Sequence, residues 1–364
     1  MGILGSALIW LMVGTISLAF LHNSSSTNLL WWMSFLGCGM SFVGANLMSF
    51  YIAFELSLIP ILLMILIWGS QPERLSAGLY FLIYTAFFSV PFLMGIVIFS
   101  YPCWVMGSTY EFGLLLTGVT LAPFLVKLPL YGMHFWLPKA HVEASTSGSM
   151  LLASLLLKLG GYGVMRLMMI IKMPMWGGLT FLLVSLSSAV TALQSDSKKL
   201  IAYSSVTHMT MMVILPFLGG SMTMGMVILL SLAHSWASSG MFLMGGALSH
   251  SSHSRLLYLM SMVSKFSKFI LISGVLLLVN SSIPPFPSFF SEIIIVSYMV
   301  ACNSLLTLLF VVISFFVCCY NVKVFLYCSL VKPGIWKSSV LTKSLSDTPV
   351  ILVILSLISL LWLV

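Results

Sequence analysis

The chain has 364 residues, 60% of them hydrophobic and only 6% charged, with a mean hydropathy of +1.15. A soluble domain carries roughly a quarter charged residues, so this chain cannot clothe a soluble surface. That excludes a soluble enzyme, a disordered chain and a nucleic-acid binder. The net charge of +8 comes from 15 Lys and Arg against 7 Asp and Glu, and in a membrane protein it reports topology.

What remains is an all-α polytopic membrane protein with room for about a dozen helices at roughly 20 residues per span. The apolar runs are continuous and do not alternate, which excludes a β-barrel. The first 21 residues are apolar and lack a basic leader region, so they read as a retained span. Breaks at Gly, Pro, Ser and charge clusters place twelve spans at 3–21, 29–45, 47–68, 79–101, 113–133, 148–171, 176–194, 200–218, 222–249, 266–300, 303–327 and 349–363.

The loops test this count. With twelve spans, one side collects Arg74, Lys139, Lys198, Lys199, Arg255, Lys265, Lys332, Lys337 and Lys343, and the other collects Lys172, with Arg166 near the same end. The basic side faces the compartment of synthesis, and both termini fall on the opposite side.

Several ionisable residues nevertheless sit inside spans: Glu55, Lys127, Lys158, His208, His234 and Glu292. A charge at the bilayer centre costs at least about 2.5–3.5 kcal/mol on insertion scales, so such groups pair or face a hydrated cavity. One buried Lys–Glu pair alone reads as helix glue, and one His alone as a hydrogen-bonded core residue. Two lysines, two glutamates and two histidines together suit a proton relay.

Two spans look broken. The fifth reads Ala122-Pro123-Phe124-Leu125-Val126-Lys127-Leu128-Pro129-Leu130-Tyr131-Gly132, where Pro129 removes a backbone bond and should free carbonyls beside Lys127. The tenth breaks at Ile283-Pro284-Pro285, with Pro287 following and Glu292 beyond. Unwound backbone at membrane depth must be buried in protein or line a wet cavity. The breaks lie five spans apart, an odd offset that gives the two broken helices opposite orientations. This is the pattern of two inverted five-helix repeats. It divides the chain into an N-terminal transmembrane helix (1–28), a first repeat (29–171, broken near 127–129), an inverted second repeat (176–327, broken near 283–287), and a loop with a C-terminal helix (328–364).

The stretch Leu125 to Ala144, with its Leu137-Pro138-Lys139-Ala140-His141-Val142-Glu143-Ala144 core, resembles the signature of the antiporter-like membrane subunits of respiratory complex I, in the mitochondrial version. Gly148-Ser149-Met150, Leu157-Lys158-Leu159-Gly160-Gly161-Tyr162-Gly163, Phe54-Glu55-Leu56-Ser57, Trp68-Gly69-Ser70-Gln71-Pro72-Glu73-Arg74 and Leu200 to Met209 resemble it too, as do His253-Ser254-Arg255 and Pro284-Pro285. The resemblance covers roughly residues 30–325. It implies that Glu55 pairs with Lys127 of the broken helix and that Lys158 is the central lysine of a midplane chain. Glu292 would be the terminal acid facing a neighbouring antiporter-like subunit, and His134, His208 and His234 would be links between these groups or toward the aqueous sides. It further implies the mitochondrial inner membrane, with both termini on the intermembrane-space side. The partners implied are other membrane-arm subunits, including antiporter-like neighbours and accessory subunits, and lipids such as cardiolipin.

Two departures from the family stand out. Only one span precedes the pair ending near Glu55, where the family has three, which reads as loss of the first two helices. Ser145-Thr146-Ser147 replaces a more apolar, Pro-containing stretch. The six cysteines, Cys38, Cys103, Cys302, Cys318, Cys319 and Cys328, form no CxxC or Cys/His cluster, and no Gly-rich dinucleotide turn or flavin fingerprint is present. No cofactor or metal is therefore expected in this chain. NADH and quinone would bind elsewhere in the complex, and this subunit would carry protons. The alternatives are a stand-alone or multisubunit monovalent cation/proton antiporter, a structural membrane spacer and an organic-solute carrier. The Lys-Ala-His-Val-Glu-Ala motif favours the respiratory subunit over the antiporter. Retention of every mid-span ionisable residue argues against the spacer. The carrier lacks a pocket of Asn, Gln or Arg.

Overall fold

The computed structural model describes residues 25–44, 46–69, 71–99, 114–168, 177–218, 221–252, 254–259, 267–302, 304–329 and 354. They form twelve helices: α1 Ser25–Val43, α2 Leu47–Trp68, α3 Arg74–Phe99, α4 Leu114–Lys127, α5 Trp136–Glu143, α6 Thr146–Met168, α7 Gly177–Leu193, α8 Ser197–Leu218, α9 Ser221–Ser252, α10 Ser267–Asn280, α11 Pro287–Cys302 and α12 Ser304–Ser329. Among the described residues there is no strand, only one isolated bridge pairing Asp196 with Leu256.

Spans two to eleven each find a helix or a pair of half-helices. The first and twelfth, 3–21 and 349–363, lie outside the described residues. Six helices, α2, α3, α6, α8, α9 and α12, are long and apolar enough to cross a membrane; α4, α7, α10 and α11 hold shorter apolar stretches. The order of three helices, one broken helix and one helix occurs twice, as α1–α6 and again as α7–α12.

Two boundaries differ from the sequence reading by five residues or more. The fourth span begins at Arg74 rather than 79. The fifth does not end at 133: after a break over 128–135 it resumes as α5, a stretch read from sequence as loop. The charge of Lys139 hid this half-helix. Only that residue projects outward, its ammonium 3.6 Å from the Tyr80 ring centroid, while Trp136, Leu137, Ala140, His141, Val142 and Glu143 are buried.

Burial sorts the helices into layers. The apolar stretch of α6 is 100% covered by other parts of the chain, and those of α8 and α9 are 89% covered, against 33% for α3 and 28% for α12. On α3, Leu79, Ile83, Phe87, Val90, Met94 and Val97 are exposed, as expected for a face that meets lipid tails. α6 reaches the centre because Gly160 lets it touch the break after α4. A Cβ there would lie 3.0 Å from the Leu128 nitrogen and 3.1 Å from the Phe124 carbonyl oxygen, backbone atoms that cannot swing away. Ser145 caps this helix by accepting from the Gly148 amide at 3.2 Å. The Ser-Thr-Ser departure therefore supplies the N-cap of the central helix.

The basic loops gather at one end. The Gly69 position faces the Glu143 carbonyl, and Lys198 Nζ donates to Ala144 O at 3.3 Å. The Ser197 amide donates to Arg255 O at 3.0 Å and the Leu257 amide to Ser195 O at 3.1 Å. Arg74 caps the end of α2 by donating to Ile67 O and Gly69 O at 3.3 Å. Arg74, Lys139, Lys198, Lys199 and Arg255 thus share one face of the bundle, as the loop count requires.

Candidate functional site

Glu55 and Lys127 meet where two helices are interrupted. Pro60 cannot bond the Leu56 carbonyl, so α2 bends at Ser57. The Ser57 hydroxyl donates to Phe54 O at 2.7 Å, just past Glu55. Lys127 is the last residue of α4, where helix carbonyls favour a cation. Its Nζ lies 3.9 Å from Glu55 Oε1 and 2.8 Å from the centroid of the Phe54 ring. Neither atom of the pair has a hydrogen-bond partner. Lys127 is buried and Glu55 half-buried, so the contact is one of charge.

Pro129 does interrupt the helix, but the carbonyls it releases are not left open. Leu125 O accepts from the Leu130 amide at 3.1 Å, and Val126 O accepts from the Trp136 indole N–H at 3.0 Å. Gly132, at φ +106°, turns the chain within the break, a conformation that a Cβ disfavours. Lys127 Nζ is the buried side-chain atom of this turn without a hydrogen-bond partner.

Lys158 lies deeper. α6 widens into a π-helical turn over Leu152–Leu156, a distortion often found at functional positions. Lys158 Nζ donates to Ala153 O at 3.0 Å and lies 2.7 Å from His234 Nδ1 on α9. The His234 and His208 rings are 5.7 Å apart between centroids. All three side chains are buried.

Beyond His208 the row meets residues that a search for charges and histidines passed over. Tyr320, wholly buried on α12, has its hydroxyl 3.5 Å from His208 Nε2. Asn280 at the end of α10 donates to the Tyr320 oxygen at 3.1 Å and to Asn321 Oδ1 at 3.2 Å. The signal was present: two asparagines and a tyrosine inside apolar spans. The second break, 281–286, then brings Ser282, at φ 54°, onto Glu292, its hydroxyl donating to Oε1 at 2.5 Å. Glu292 is half-buried.

His134 stands apart from this row. It is buried in the first break, accepts from the Gly132 amide on Nδ1 at 3.1 Å, stacks between Tyr131 and Phe135, and meets Tyr203 edge-on. His141 was not singled out from the sequence. It is fully buried on α5 and stacks on Phe242 at 4.4 Å. Both of its ring nitrogens lack partners, as do Glu143 Oε2 and Ser197 Oγ nearby. Buried polar atoms without a protein partner are commonly satisfied by ordered water. Lys323 also lies within a span and was not singled out. It donates to Ala192 O at 3.0 Å and Gln194 O at 2.9 Å, so it caps α7 from the adjacent α12.

The profile of the family described as NADH:quinone oxidoreductase/Mrp antiporter, transmembrane, matches residues 44–317. NADH-ubiquinone oxidoreductase chain 4 of Caenorhabditis elegans is 41% identical over 263 residues, covering 69% of this chain and 63% of that protein. The chain 4 of Locusta migratoria is 38% identical over 329 residues, covering 84% and 71%, and that of Squalus acanthias is 37% identical over 286 residues, covering 71% and 60%. The chain therefore spans about three fifths of the length of several of these relatives. Among solved structures, respiratory complex I from Thermus thermophilus with bound NADH contains a chain that superposes with a TM-score of 0.85 at 20% identity, covering 99% of this chain and 81% of that one. A chain of the Mrp complex from Dietzia sp. superposes with a TM-score of 0.82 at 16% identity, covering 95% and 70%. These two establish a shared fold.

Proposed function

The chain belongs to the NADH:quinone oxidoreductase/Mrp antiporter membrane family, on its NADH-ubiquinone oxidoreductase chain 4 branch, and we propose that it is a proton-translocating subunit of an NADH:ubiquinone oxidoreductase. The observation that carries this reading is the row of buried titratable groups, Lys158, His234 and His208, with the Glu55–Lys127 pair before it and Glu292 after it. Electron transfer from NADH to ubiquinone takes place elsewhere in the complex, and this chain moves protons coupled to it.

Lys127 and Lys158 are the groups that hold and release the transported proton. Each is buried and near a partner able to take up the change in charge, Glu55 for Lys127 and His234 for Lys158. The orphan atoms of His141, Glu143 and Ser197 support uptake from the basic face through bound water. His134, by its burial in the first break, serves as a further link toward an aqueous side. Residues 29–171 and 176–327 are the two working halves, the first carrying Glu55, Lys127 and Lys158, the second carrying His208, His234 and Glu292. Segments 1–28 and 328–364 flank them. The chain sits in the mitochondrial inner membrane with both termini on the intermembrane-space side, among other membrane-arm and accessory subunits and lipids such as cardiolipin.

The test has two parts. On a mild native gel the chain should migrate with the large band that oxidises NADH; migration in a small band without that activity would favour a separate antiporter. In vesicles, Lys127→Ala should lower proton output per NADH, and unchanged output would overturn the relay.

A further inference from the structure

We propose that Tyr320 passes protons between His208 and the Glu292 end of the path, and that Asn280 is a positioning residue that fixes the Tyr320 hydroxyl as a donor to His208. The proposal rests on the proton-path reading above and assigns a step that reading leaves open. No direct hydrogen bond joins His208 to Glu292 among the described residues, and Tyr320 is a polar neighbour of His208 on the side of the second break. Its hydroxyl is 3.5 Å from His208 Nε2, and it accepts from Asn280, two residues before the Ser282 whose hydroxyl donates to Glu292.

The direction of the network follows from one obligate acceptor. The Val317 carbonyl can only accept, and Asn321 Nδ2 donates to it at 3.0 Å. Asn321 must then turn its oxygen to Asn280, which answers with its amide nitrogen at 3.2 Å. The same nitrogen donates to the Tyr320 oxygen at 3.1 Å. Both hydrogens of the Asn280 amide are thereby engaged. The Tyr320 oxygen is an acceptor on that side, which leaves its own hydrogen to be shared between His208 Nε2 and the Thr207 oxygen, whose hydrogen is engaged by Ser204 O. A neutral His208 then carries its proton on Nδ1.

An amide does not exchange protons readily, so Asn280 orients and Tyr320 conducts. In one transfer a protonated His208 gives its Nε2 proton to the phenolic oxygen while the hydroxyl proton of Tyr320 leaves toward the Glu292 side. One O–H bond breaks and one forms, and Tyr320 stays neutral. The second break ties the two ends together: Asn280 leaves it toward Tyr320, and Ser282 leaves it onto Glu292.

The experiment compares proton output of the full complex in vesicles, normalised to the assembled complex on a native gel. Tyr320→Phe removes one oxygen and keeps the ring. Its output should fall by roughly tenfold, below the full contribution of a positioned proton-transfer group because water can enter. Asn280→Leu should give a similar loss with Tyr320 intact, and Asn280→Ser, which keeps a donor, should restore part of it. If Tyr320→Phe conducts like the parent while His208→Leu does not, this proposal fails and the proton-path reading stands. If His208→Leu and Lys158→Ala also conduct like the parent, the reading itself fails. If Asn280→Leu alone is silent, its positioning role is overturned.

Discussion

Lys158 Nζ and His234 Nδ1 face each other across 2.7 Å, two nitrogens from helices far apart in sequence that can hold only one bonding proton between them. The Lys158 side chain reaches this point past the Ala153 carbonyl, which accepts from it at 3.0 Å in the π-helical turn. A lysine bonded to a neutral imidazole can hand over a proton without a large movement of either group.

Two groups in direct contact that act as a unit should show losses that do not add. Lys158→Ala and His234→Leu should each lower proton output strongly, and the double variant should conduct no worse than the weaker single. Proton output measured in vesicles for all three closes the cycle. Additive losses would show that the groups act separately.

The Glu55–Lys127 pair separates stability from conduction. Glu55→Gln leaves the Lys127 ammonium buried without a counter-charge. For a fully buried pair such a loss costs about 3–5 kcal/mol, and less is expected here because Glu55 is partly exposed. The melting temperature of the assembled complex should drop. Glu55→Gln combined with Lys127→Met should recover the melting temperature and leave proton output low.

Lys323 should behave in the opposite way. It donates to two carbonyls at the end of α7, and hydrogen bonds to a charged donor contribute about 1.5–3 kcal/mol each. Lys323→Met is expected to reduce thermal stability or assembly, with proton output per assembled complex unchanged. A stable variant with lowered output would place Lys323 on the path instead.

Gly132 provides a local test of the first break. At φ +106° an alanine meets backbone strain of about 1–2 kcal/mol or more. Gly132→Ala should lower stability by that amount, read as a drop in melting temperature, even though open space surrounds the site.

His141 tests the water-holding site. His141→Phe keeps the stack on Phe242 and removes two unpartnered polar atoms, each of which costs about 1–3 kcal/mol when left dry. If water fills the site, the substitution expels it: proton output should fall with stability little changed. A clear gain in stability with full output would mean that the site is dry.

Much of this protein was determined by the sequence alone. The composition left only a membrane bundle, the apolar runs placed ten spans that each correspond to a helix or a broken pair, and the prolines marked both breaks. Mid-span charges stand out in any apolar sequence because hydrocarbon penalises each one, so Glu55, Lys127, Lys158 and Glu292 were legible as candidates. Neutral polar groups carry a smaller penalty and do not stand out, which is why Tyr320, Asn280 and Asn321 were passed over. His141 lay inside the family motif, yet a spacing pattern could not show that both of its nitrogens lack partners.

Only the tertiary structure decided which charges meet. Lys127 belongs with Glu55, and Lys158 belongs with His234 rather than with either glutamate. His134 sits in an aromatic cluster of its own, while Lys323 caps a helix. Those pairings depend on helix rotation and depth, set by close contacts such as Gly160 against the Leu128 backbone and by a π turn that changes which residues share a face. Hydropathy reports how far a residue lies from water. It does not report which neighbour it finds there.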